Sequence, residues 1–164
     1  AVRSFKKALN LNSRHEDAKM ALIKVHLSKR EYRKAAKYLG RLQDDGITNR
    51  HLIADRRFNQ GYLLTLEGDY YAAFGYYYAA IENELLTPQP DYKLISQCFN
   101  NLGYLEIMDN GKNHLPSEKK HAHIHIHERD FHRAAEEFKE ALRYNPGSLE
   151  AQANYDSINH VMGW

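Results

Sequence analysis

Hydrophobic residues return along this chain with a helical period, separated by short polar breaks. Val2, Phe5 and Leu9 form one apolar stripe, and Ala151, Tyr155, Ile158 and Met162 form another near the opposite end. Between them the pattern predicts helices over approximately Glu16–Ser28, Glu31–Asp44, Leu52–Leu66, Tyr70–Leu86, Tyr92–Asp109 and Asp130–Tyr144. Asp45-Gly46 breaks one helix, and Thr87-Pro88-Gln89-Pro90 stops another because proline lacks the amide that a continuing helix needs. Pro146-Gly147-Ser148 restarts the chain into a last helix at about 148–162, placed as a cap. The tract His121 to His127 fits the period of two of a strand and also fits a helix.

The helical segments repeat one another. Ala134 to Pro146 reads AAEEFKEALRYNP, and its spacing of small, aromatic and Ala-Leu positions returns from Ala1, Ala35 and Ala73. Each copy after the first is preceded by a second helical pattern, clearest at Asn59-Gln60-Gly61 and Asn101-Leu102-Gly103, with Ile23 in the equivalent place earlier. Polar turns join the two: Lys29-Arg30-Glu31-Tyr32, Glu67-Gly68-Asp69-Tyr70 and Glu128-Arg129-Asp130-Phe131. Small residues on one helix (Gly61, Gly103) and on the other (Ala35, Ala73, Ala134) allow close crossing, while Leu39, Tyr77 and Phe138 fill the space beside them. Such a hairpin cannot bury its apolar faces alone and stacks on its neighbours.

These residues resemble the tetratricopeptide repeat, best at Phe99-x-x-Leu102-Gly103 and from Ala134-x-x-x-Phe138 to Pro146. Ser13 stands where a closing proline is usual, Glu106 where a large residue is usual, and Ile23 in place of the small one. The resemblance implies an all-α, right-handed superhelix of antiparallel helix hairpins. Residues 1–164 then make one domain, read as a fragment of a longer array because Ala1 falls inside a second helix. It further implies a protein-interaction scaffold that binds a peptide or protein segment in a concave groove lined by the first helices. Counted from the glycine-matched positions, that groove holds Lys24, Leu27, Phe58, Asn59, Tyr62, Thr65, Asn100, Asn101, Tyr104 and Met108. Some members of the family grip a terminal carboxylate, but Met20 and Ala21 occupy the matching positions here. The aromatic, charge-poor lining points to an apolar or amphipathic ligand.

Composition narrows the alternatives. The net charge of +2 comes without a basic stripe, which argues against nucleic acid as partner. No uncharged run exceeds the 12 residues of Tyr70 to Ile81, short of the ~20 that span a bilayer. A single cysteine, Cys98, excludes an internal disulfide and leans towards a cytoplasmic, reducing setting. Twelve tyrosines, several crowded between Tyr70 and Tyr78, exceed what one helix face can bury, so some hydroxyls reach solvent or a partner.

Two chemical possibilities stand apart from the repeat. The turn after Asp109 is enlarged into an inserted His-rich loop at about 110–129, where His121, His123, His125 and His127 converge on one face as a strand or pair at i,i+4 as a helix. Imidazole suits Zn, Ni or Cu, so a metal-responsive module is the alternative to the scaffold, with zinc its one possible cofactor. Catalysis is not expected: no phosphate-binding glycine loop, His-Glu-x-x-His or nucleophile elbow occurs, and Cys98 has no identifiable base.

Overall fold

The computed structural model describes residues 2–12, 15–40, 42, 49–109 and 123–163, with backbone alone at 2, 109 and 123–130. Among the described residues the protein is all-α, with helices α1 (Val2–Leu11), α2 (Glu16–Ser28), α3 (Tyr32–Leu39), α4 (Arg50–Glu67), α5 (Tyr70–Leu85), α6 (Tyr92–Asp109), α7 (His123–Tyr144) and α8 (Leu149–Met162). The closest pairs are α2 with α3, α4 with α5 and α6 with α7, each a first and second helix of one hairpin. Neighbouring hairpins meet through α3–α4 and α5–α6, and the first helices also touch one another as α2–α4, α4–α6 and α6–α8. This is a helical-repeat arrangement, each unit packed on the next.

Local chemistry sets the helix limits. Asn49, Asp69 and Ser148 each accept a hydrogen bond from an amide of the first turn that follows (Leu52 N, Ala72 N and Ala151 N), as N-cap side chains do. Gly68 ends α4 with φ 82° and lets the chain reverse at once into α5. Arg30 takes the corresponding place between α2 and α3 with φ 58°, a conformation that costs a side chain about 1–2 kcal/mol. That turn is tied in compensation: Glu31 N donates to His26 O, and Glu31 Oε2 lies 2.6 Å from His26 Nδ1. Hydrogen bonds from Lys34 and His26 hold the Glu31 carboxyl down to about 2.

Two boundaries differ from the sequence reading. Helix α3 closes at Leu39, short of Asp44, because Gly40 follows and glycine is a poor helix residue; Asp45-Gly46 lies outside the described residues. Helix α7 begins at His123 and not at Asp130, so the last part of the segment assigned to a loop at 110–129 is helical backbone. The rest of that segment, from 110 to 122, lies outside the described residues.

The core comes in slices. Met20, Ile23, Ala35, Leu39, Leu42 and Leu63 form the first, and Tyr77, Ile81, Ile95, Cys98, Leu102 and Leu105 belong to the second. Ala134, Ala135, Phe138 and Ile158 form the third, with Tyr155 and Met162 of α8 packed at its edge. Inside two hairpins an aromatic ring lies flat against a glycine. A methyl group added at Gly61 would sit 3.0 Å from the Tyr77 ring, and one at Gly103 only 2.7 Å from that of Phe138. In the first hairpin both partners change: Ile23 replaces glycine and Leu39 replaces the ring, so bulk moves from one helix to the other. Volume-conserving exchanges of this kind are the ones cores tolerate best.

Polar groups, one of them deeply buried, join the slices. Glu84, 1% exposed at the end of α5, accepts from the backbone N–H of Asp91 at 2.8 Å and lies 2.8 Å from His51 Nδ1. One carboxylate thus ties the start of α4, the end of α5 and the chain leading into α6. Further along, Tyr78 Oη donates to Glu137 Oε1 at 2.9 Å, linking α5 to α7. Burial pushes the Glu137 carboxyl up to about 7, with Glu106, Glu136 and Glu140 adding repulsion and the Tyr78 bond opposing the rise.

Two predictions follow from this packing. Gly103→Ala should destabilise the chain by about 1–3 kcal/mol through overpacking against Phe138, whereas Gly75→Ala, in open space midway along α5, should stabilise it by about 0.5–1 kcal/mol. Urea unfolding of both variants checks the opposite signs; equal shifts would contradict the ring-on-glycine contact. Glu137, ordinarily near 4.5, is raised on folding, so its protonated form is favoured. Its contribution to stability is therefore full below about 4.5 and is lost as pH rises through about 7. Glu137→Gln should flatten that part of the stability-versus-pH curve, read from urea midpoints between about pH 5 and pH 8.

Candidate functional site

Because α2, α4, α6 and α8 are neighbours, residues one helical turn apart on each face a common side. A cavity of about 360 Å³ opens there, lined by Lys24, Leu27 and Ser28 of α2, Phe58, Asn59 and Tyr62 of α4, and Gln97, Asn100 and Asn101 of α6. Ser148 and Glu150, from the start of α8, complete its wall. The cavity is a shallow groove large enough for part of a peptide, in the size range of small-ligand sites.

The lining is mixed in role. Phe58 leans on Tyr77 with ring centroids 5.7 Å apart, so it serves the core as well as the surface. Asn59, buried, donates from Nδ2 to the Asp55 carbonyl at 2.6 Å, which fixes its rotamer. Asn100, also buried, accepts at Oδ1 from Asn154 Nδ2 at 2.8 Å, so it holds α8 against α6. The Lys24 ammonium meets the Asp55 carboxylate at 2.5 Å, an ion pair that offsets the charge of Lys24 itself. Tyr62 is half-buried in the wall and contributes an aromatic face.

Lys24, Leu27, Phe58, Asn59, Tyr62, Asn100 and Asn101 are thus brought together by the fold, and Thr65, Tyr104 and Met108 are not part of the lining. Thr65 turns into its own hairpin: its hydroxyl donates to the Gly61 carbonyl at 2.9 Å and lies 3.3 Å from Tyr77 Oη. Tyr104 and Met108 continue the Asn101 stripe along α6 but lie past the lining, exposed. Ser28, Gln97, Ser148 and Glu150 were missed by counting from the glycines. Gln97 is one turn before Asn101 on the same stripe, so extending the count backwards finds it. Ser148 and Glu150 carry no such signal, since the pattern of α8 alone marks it as a cap.

The tyrosine-rich helix divides as its crowding requires. Tyr77 is fully buried, and burial pushes its hydroxyl well above the ordinary range. Tyr76 carries the Arg57 guanidinium 5.7 Å above its ring, and Tyr71 and Tyr78 are exposed. Cys98 is buried; burial first, then the charges of Glu84, Asp55 and Asp91, raise its thiol far above the range of a reactive thiolate.

Of the histidine tract, His121 lies outside the described residues, and His123, His125 and His127 belong to the first turns of α7 by backbone. Among the described residues no group of three or more His, Cys, Asp or Glu side chains is placed to hold a metal ion. Nor, among them, is any helix long and apolar enough to cross a membrane. No family model matches the chain, and no curated protein matches it.

Proposed function

We propose that the chain is a tetratricopeptide-type scaffold that holds an extended peptide or protein segment in the groove formed by α2, α4, α6 and α8, without catalysing a reaction. The observation that carries this reading is one continuous wall built from four successive first-layer helices. Its residues combine what peptide binding needs: aromatic and aliphatic faces at Leu27, Phe58 and Tyr62, and neutral amides at Asn59, Gln97 and Asn101. Rigid aromatics give contact area at low entropic cost, and amides pair with a peptide backbone whatever its sequence. The non-catalytic part rests on chemistry: the one thiol is buried and raised, and it serves as packing.

Tyr62 is the cleanest probe, because it lines the groove without belonging to a core cluster, whereas Phe58 packs on one. Panning a displayed library of random dodecapeptides on the folded chain should yield binders. Tyr62→Ala should weaken them about tenfold, the effect of a central aromatic anchor, with the helical circular dichroism unchanged. Tyr104→Ala, outside the lining, should leave their affinity intact. Binders insensitive to Tyr62 would put the binding face elsewhere.

A further inference from the structure

Charge is unevenly distributed along the chain that builds the groove. Residues 1–40 hold eleven Lys and Arg against three Asp and Glu, whereas residues 50–109 hold four against eight. The α1–α3 end is therefore basic; Lys24 lines the groove, and Lys29 and Arg30, both exposed, directly follow its lining residue Ser28 in the chain. In the lining itself only Lys24 and Glu150 carry formal charge. Lys24 is already neutralised by Asp55. Glu150, exposed at the opposite end, forms no ion pair among the described residues. It stands in the first turn of α8, where the helix amides supply only a partial positive charge of about one half and so do not cancel a full negative one.

A cation entering this groove meets opposing fields. Near α2 the surplus of Lys and Arg repels it over a Debye length of about 8 Å, while Glu150 attracts it at the α8 end. Between the two lie the uncharged faces of Leu27, Phe58 and Tyr62 and the amides of α6.

We infer that the groove binds its peptide in one polarity, with a Lys or Arg of the peptide against Glu150 and an apolar or aromatic residue against Leu27, Phe58 and Tyr62. The inference rests on the groove reading above and adds to it the charge of the ligand and its direction. Rim charges of this kind contribute little to affinity and much to register and partner choice.

The same dodecapeptide selection tests it. Binders that require Tyr62 should be enriched in Lys or Arg on one fixed side of an aromatic or aliphatic residue. By fluorescence anisotropy with those synthetic peptides, Glu150→Gln should weaken binding about threefold and Glu150→Lys about tenfold, both effects fading near 0.5 M salt. Selection repeated on Glu150→Lys should replace the basic residue with Asp or Glu. A thermal melt of each variant separates lost binding from lost folding, and the milder Glu150→Gln keeps the α8 start neutral. Tyr62-dependent binders with no basic bias, or with affinity indifferent to residue 150, overturn the polarity and leave the groove standing. The absence of any Tyr62-dependent binder overturns both.

Discussion

The contact of an aromatic ring with a glycine sets how closely the helices approach inside two of the three hairpins, and the placement of their free faces depends on it. Tyr77 on Gly61 and Phe138 on Gly103 let the two helices of a hairpin approach until a single ring fills the gap. Any larger residue at either glycine would push the helices apart by about the radius of a methyl group, and close-packed interiors do not absorb that displacement without strain. The separation within a hairpin then fixes where its first helix presents its free face. Gly61 is followed one position later by Tyr62, and Gly103 is preceded by Asn100 and Asn101. The residues that set the packing and those that line the groove are thus interleaved on the same helices, and the geometry of one determines that of the other.

Hairpins alone do not make an array, and the joints use different chemistry. Between the second and third units the joint is Glu84, whose buried carboxylate takes an amide from the linker at Asp91 and faces His51 of the preceding helix. A buried carboxylate left without partners is costly, so these contacts are held together by the penalty of breaking any one of them. At the far end the joint is made by amides, Asn154 to Asn100, and it positions the start of α8 beside the groove. A helix that closes the last apolar slice with Ile158 on one side also supplies groove wall with Glu150 on another.

How much of this was legible in the sequence depends on the range of the interaction involved. Helix positions, the turn at Gly68, the glycine–aromatic partners and the hairpin order follow from periodicity and spacing, because they are decided within one repeat. The residues that counting along the first helices brings to the cavity wall share one stripe continued from helix to helix, a local pattern of the same kind. The residues that leave this wall do so by distance or direction. Thr65 shares the stripe, yet its hydroxyl finds a closer partner at Gly61 O and turns away. Tyr104 and Met108 keep the register but lie past the lining. Glu150 joins the groove only through the placement of α8, which no local pattern encodes. Helix α3 ended early because a single glycine outweighed an otherwise helical pattern, and α7 started early where alternating His and Ile had fitted either strand or helix.

The division of the core into slices also shapes what binding can do. Ile23 of α2, Ile95 and Leu102 of α6 and Ile158 of α8 lie in separate layers, each stabilised chiefly by its neighbours. In such a quasi-linear array, one unit can loosen without unfolding the others. A peptide lying across α2, α4, α6 and α8 would touch every unit at once and tie together layers that otherwise communicate only in sequence. Its binding energy would then appear partly as cooperativity between hairpins, because it binds the ordered array and not the loosened one. The polar, partly satisfied character of the wall suits that role. Asn59 and Asn100 are already held by their own hydrogen bonds, so their rotamers are set before a ligand arrives and little entropy remains to be lost on contact.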